Sequence, residues 1–174
     1  MKKLCTFRSL GVALGCAALT LIGVAADDPP RTIPIDGTFG TTFKLIPITE
    51  GVFDTPIEGV GNVRGLGPCT IVIAQTADFR NNPPTLDSEW VMTFADSDQL
   101  NVVSQGTGTP HESNPAFIKL DGEGIITGGT GRFENATGVL RFPGVAHTDT
   151  PPGVFPAEGH GTFALEGFVR LSGD

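Results

Sequence analysis

Glycine and proline interrupt this chain so often that long helices have nowhere to form. The 174 residues include 24 glycines and 14 prolines, and from residue 27 onward no stretch sustains apolar residues at a 3.6-residue spacing. What lies between the interruptions is short, β-branched or aromatic: "GTTFKLIPI", "CTIVIAQT", "EWVMTFA", "QLNVVSQ", "AFIKL", "EGIITG", "GVLRFPG" and "GTFALEGFVRL". About eight runs of this kind, separated by turn-forming residues, predict an all-β chain of barrel or sandwich type. Alternation assigns the faces. Trp90, Met92 and Phe94 share one face, with Val91 and Thr93 on the other. Phe163, Leu165, Val169 and Leu171 share a face, opposed by Thr162, Glu166 and Arg170. "ADSD" (95–98) reads as a tight hairpin, while 79–87 and 142–161 read as long loops at the rims.

The first 26 residues stand apart. "MKKL" and Arg8 supply positive charge, "LGVALGCAALTLIGVAA" (10–26) is an apolar run, and "DDPP" breaks it. This is the pattern of a secretory signal peptide with cleavage after Ala26, and it predicts a secreted or periplasmic protein. A lipidated Cys16 within "ALGC" is the minor alternative. Residues 27–34 read as a flexible lead-in and 35–174 as a single domain, long enough to bury a core without staples. The whole chain has a net charge of −8. Loss of the signal removes three cations and no acid, which makes the remainder more acidic still. Such a surface argues against nucleic acid and against an anionic membrane as partners, leaving no membrane contact after signal cleavage. Cys5 and Cys16 depart with the signal, so Cys69 has no partner for an intramolecular disulfide; at the head of "TIVIA" it reads as a buried thiol.

One stretch concentrates the glycines: "ITGGTGRFENATGVLRF" (126–142). Gly128, Gly129 and Gly131 permit positive φ and close backbone approach, as at a bulge or corner where a sheet bends to close, and Phe133 is expected to pack where the strand resumes. A phosphate-binding loop would need a helix to follow, and "RFENATGVLRF" shows no helical start.

The same stretch resembles the glycine-rich segment of the allene oxide cyclase and dirigent families. "GLGPCTIVI" (65–73) is similar to their glycine-then-cysteine strand, and "WVMTFADSDQLNVVSQG" (90–106) to their aromatic strand, acidic turn and following strand. The three motifs occur in order over roughly residues 60–171. The resemblance implies an eight-stranded antiparallel β-barrel with an apolar lumen, a homo-oligomer, and a small hydrophobic ligand or substrate. It implies that Cys69 lines the pocket and that Leu86, Trp90, Met92 and Phe94 face the interior; with Ile71 these are the lumen candidates. The cyclases' catalytic carboxylate and asparagine lie on the first strand, where this chain reads "IPIDGTFGTTFKL", with Asp36 and no asparagine; their pocket tyrosine has no counterpart, because the chain has no tyrosine.

Nothing in the sequence calls for a cofactor or a metal. His147, Asp149, Glu158 and His160 lie in one glycine- and proline-rich region with no fixed ligand spacing and read as solvated loop residues. His111 and Glu112 read as ordinary surface, and no serine occupies a nucleophile elbow. Three functions stay open: an exported barrel binding a small apolar ligand, a cofactor-free isomerase or cyclase acting on a hydrophobic molecule in the lumen, and a structural barrel with a filled core. The missing first-strand pair and tyrosine favour a barrel without catalytic groups.

Overall fold

Strands with one apolar face bury it by curling the sheet upon itself, and this chain does so completely. The computed structural model describes residues 30–172; the signal segment, its cleavage point and the Cys16 alternative lie outside the described residues. The strands are β1 (Arg31–Thr49), β2 (Val52–Val63), β3 (Gly67–Asp78), β4 (Thr85–Phe94), β5 (Gln99–His111), β6 (Asn114–Gly129), β7 (Thr137–Arg141), β8 (Gly144–Thr148) and β9 (Ala157–Leu171), with a 3-10 turn at Gly131–Phe133. All pairings are antiparallel. Neighbours pair in sequence from β1 to β6, β6 pairs with both β7 and β8, both of these pair with β9, and β9 returns to β1. The result is a nine-stranded all-β sheet closed in a ring, with no open edge among the described strands. Among the described residues no helix is long and apolar enough to cross a membrane.

Nine strands occupy eight places. β7 faces Glu123–Ile126 of β6 and Glu166–Arg170 of β9; β8 faces Phe117–Leu120 and Gly159–Phe163 of the same two strands. They are two halves of one ribbon, broken at Phe142–Pro143, where proline has no amide to give the ladder. Agreement with the eight runs read from the sequence therefore hides compensating differences. "AFIKL" and "EGIITG" are both parts of β6. β2, "VFDTPIEGVGNV", was not among the eight runs. β8 lies inside the segment read as the loop 142–161, which shrinks to 149–156 between β8 and β9. The lead-in is shorter as well: Arg31–Pro34 already pair with Phe168–Leu171.

Turns alternate between two ends of the ring. One end carries the β2–β3 and β4–β5 turns and residues 130–136; the other carries the β1–β2, β3–β4, β5–β6 and β8–β9 turns. The first end is plugged. Phe133 is fully buried and its ring lies 5.1 Å from that of Phe94, while the Arg132 guanidinium sits 5.2 and 4.9 Å from the two ring centres and pairs with Asp96 and Asp98 at 3.4 and 3.6 Å. Burying a side chain of this size is worth about 1.5–3 kcal/mol.

At Gly128, with φ +121°, β6 shifts register against Asn101 and Val102, a bulge within the strand as expected; beyond it the glycine stretch makes this plug. β6 ends at Gly129, the 3-10 turn follows, and Phe133 lies in that turn, four residues before β7 begins. Gly131 has φ +56°, and a Cβ on it would collide with the Asp98 carboxylate. Gly129 needs space rather than positive φ: a Cβ there would overlap the Gln99 carbonyl and lie 2.9 Å from Phe133 Cβ.

Candidate functional site

The β3–β4 register orders the interior by depth. Going up from the plugged end, Cys69 faces Phe94, Ile71 faces Met92, Ile73 faces Trp90, Gln75 faces Ser88 and Ala77 faces Leu86. Cys69, Ile71, Met92 and Phe94 belong to the packed cluster that fills the plugged half. Above them runs an aromatic layer. Trp90 meets Phe142 at 4.8 Å and Phe163 at 5.6 Å, and Phe163 stacks on Phe39 at 5.1 Å and 13°.

Beyond this layer the interior is not filled. A cavity of about 70 Å³ opens toward the other end, with Trp90, Phe142 and Phe163 as its floor and Ile57, Ile73, Leu86, Leu120 and Ala146 in its walls. Phe79 and Pro84 stand near its mouth. Phe79 packs edge-on against Phe53 at 5.3 Å, and Phe53 meets Phe155 of the 149–156 loop at 4.9 Å. This second, smaller cluster includes Leu45 and Ala157.

Of the six lumen candidates, all are buried, but only Leu86 and Trp90 line the cavity. Cys69, Ile71, Met92 and Phe94 lie below its floor. Burial pushes the Cys69 thiol up from 9.0 to about 11, with no cation to offset it. Alternation finds the inward face but says nothing about depth along the axis, so the cavity walls from β1, β6 and β8 are missing from the candidates.

Polar groups in the cavity are few, and none of its lining residues carries an ionisable side chain. The inward polar side chains are Thr41 and Gln75, since Thr162 meets the cavity from the outward-facing side of β9, and the Thr41 hydroxyl already donates to the Gly161 carbonyl at 3.2 Å. Beside the floor, Trp90 Nε1 donates to Ser88 Oγ at 2.9 Å, and Ser88 Oγ shares a 2.8 Å hydrogen bond with Ser104 Oγ. That network fixes the indole and leaves none of its members unpaired. Thr55 Oγ1 is different: it is buried and has no hydrogen-bond partner.

Asp36, the only first-strand carboxylate near the region where the cyclases hold theirs, points outward and lies 3.8 Å from Arg64. The histidines read as loop residues sit on strands. His147 of β8 and His160 of β9 are direct cross-strand partners, and Glu158 turns away from them to pair with Lys44 at 2.9 Å. His111 is exposed and shares a hydrogen bond with Ser113. No family model matches the chain, and no curated protein matches it.

Proposed function

We propose that this protein is an exported binding barrel of the allene oxide cyclase and dirigent type, holding a small apolar molecule, or the apolar end of a longer one, in the open half of its lumen. The observation that carries this reading is the cavity above Trp90, Phe142 and Phe163, apolar on nearly every side. Ligand sites are typically concave and mostly apolar, with a few placed polar groups. The free volume of about 70 Å³ is near half of the roughly 150 Å³ that accommodates a benzene in an apolar cavity. It suits the end of an alkyl or isoprenoid chain, with the rest of the molecule lying among Phe79, Pro84 and Phe43 at the mouth.

Eight places in a closed antiparallel ring, and the three motifs in order, support the family reading. The alternative, a cofactor-free cyclase or isomerase, needs a group that moves a proton or stabilises charge within reach of the ligand. Thr41 and Gln75 supply hydrogen bonds only, which favours binding over catalysis. A homo-oligomer is supported by an outward row of apolar side chains in direct register, Val103, Ile125, Val139 and Phe168.

The test uses Trp90, the chain's single tryptophan, as the reporter. Titration with a series of fatty acids and alkanols is expected to change its emission saturably. Ala146→Phe, which fills the cavity from β8, is expected to abolish the change while the melting temperature is kept. Absence of a saturable response to any chain length, or an undiminished response in Ala146→Phe, overturns the reading.

A further inference from the structure

The outer face of the β8–β9 hairpin carries a second constellation, separate from the cavity. His147 Nδ1 lies 3.0 Å from one oxygen of Asp149, and His160 Nδ1 lies 3.0 Å from the other. All three donor groups fall within 4.8 Å of one another. Two imidazoles and a carboxylate suit a borderline transition-metal dication. Around a tetrahedral ion with bonds of about 2.0–2.2 Å the donors stand roughly 3.3–3.5 Å apart, a value bracketed by the two 3.0 Å contacts and the 4.8 Å outer limit.

The scaffold holds these groups in place before any ion arrives. His147 and His160 lie on paired strands, with ring centres 5.3 Å apart. Phe117 packs against the His147 ring at 4.5 Å. The Asp149 amide donates to the Glu158 carbonyl at 2.8 Å, and the Glu158 amide donates to Thr150 Oγ1 at 2.8 Å, which pins the start of the loop. Sites built on rigid elements lose less freedom on binding.

We propose that His147, Asp149 and His160 form a binding site for one Zn²⁺-like dication, with water completing the coordination. Such an ion ties β8 to β9 on the outer side of the cavity wall, since Ala146 and Gly161, next to the two histidines, face the cavity. It also fixes the first residue of the 149–156 loop, whose Phe155 reaches the mouth cluster. The site is thus placed to stiffen the entrance as well as the hairpin.

Untagged protein freed of metal by a chelator is titrated with ZnCl₂ in a calorimeter and with CoCl₂ in a spectrophotometer. One equivalent of Zn²⁺ is expected to bind saturably and to raise the melting temperature, and Co²⁺ is expected to develop visible bands of four-coordinate intensity. His147→Ala, His160→Ala and Asp149→Asn should each weaken binding by about tenfold or more. His111→Ala, which changes the only other histidine, should leave it unchanged. Asp149→Asn keeps the size of the side chain and so isolates loss of the ligand from loss of the fold. Failure to bind saturably, or full affinity in both histidine variants, or loss of binding in His111→Ala alone, overturns the proposal.

Discussion

Gly129→Ala puts a methyl group into the last residue of β6, where it would overlap the Gln99 carbonyl and lie 2.9 Å from Phe133 Cβ. The first obstacle is backbone, so no rotamer change relieves it, and either Gln99 or Gly129 has to move. Overfilling a packed site costs about 1–3 kcal/mol. The move also disturbs the hydrogen bond from the Thr130 amide to the same Gln99 carbonyl, now 2.9 Å, worth about 1 kcal/mol. The expected loss is about 2–4 kcal/mol, which for a domain of this size lowers the melting temperature by roughly 8–15 °C. Gly40→Ala is the matched control. Gly40 lies on the outer face of β1, and a Cβ there meets nothing within 4 Å. It should leave the melting temperature unchanged or raise it slightly, because alanine restricts the unfolded chain. Thermal unfolding followed by circular dichroism reads both. A Gly129→Ala melting temperature within about 2 °C of wild type, or an equal fall in Gly40→Ala, would refute the argument that close approach to Gln99, rather than loss of any glycine, sets the cost.

Two further perturbations test the interior. The Cys69 thiol, raised to about 11 by burial, should react slowly with a bulky thiol reagent at pH 8 in the native protein and quickly after denaturation; fast native labelling would show an exposed or activated thiol. Its folded value lies above the ordinary 9.0, so its contribution is complete below pH 9 and is lost as pH rises toward 11; a Cys69→Ala protein should lack this part of the alkaline decline in urea unfolding. Thr55→Val replaces a buried hydroxyl that has no partner with a methyl group of similar shape, and should stabilise the protein by about 1–2 kcal/mol, seen as a higher urea midpoint; a lower midpoint would mean that the hydroxyl is hydrogen-bonded.

Much of the architecture was legible where side chains alternate strongly. In β4, Leu86, Trp90, Met92 and Phe94 all point inward, and "ADSD" makes the turn into β5, with Ser97 at φ 70°. β2 was illegible because Thr55, Gly59 and Gly61 interrupt its inward face and leave Phe53, Ile57 and Val63 spaced apart, while Val60 faces outward. Those glycines admit other side chains: a Cβ on Gly61 would overlap the Phe39 ring. β6 looked like two strands for a similar reason, since Gly122 leaves room for Phe142. β8 is five residues long, follows Pro143 and precedes Pro151 and Pro152; its strand character comes from pairing with β6 on one side and β9 on the other. The cavity was legible only in part. Leu86 and Trp90 could be placed inside, but their height relative to Phe142, Phe163 and Ala146 depends on how the strands are staggered around the ring. His147, Asp149 and His160 stood out in the sequence but read as solvated loop residues, because only the pairing of β8 with β9 sets the two histidines face to face.

The seam between β1 and β9 bears on how the molecule can be made. Residues 31–45 pair one for one with residues 171–157, the longest sequence separation in the fold, whereas the steps from β1 to β6 are all between neighbours in sequence. Contacts this distant are slow to form. The hairpins can assemble as the chain emerges, but the ring can shut only when the final fifteen-residue strand is present. Until that moment β1 and the growing end are both exposed edges, open to other chains as much as to each other. The same seam brings the two ends of the described chain side by side. Joining them and opening the backbone in the 95–98 turn would preserve every strand pairing while making the β1–β9 seam local, so a circular permutant of this kind should move the late closure to the pairing of β4 with β5.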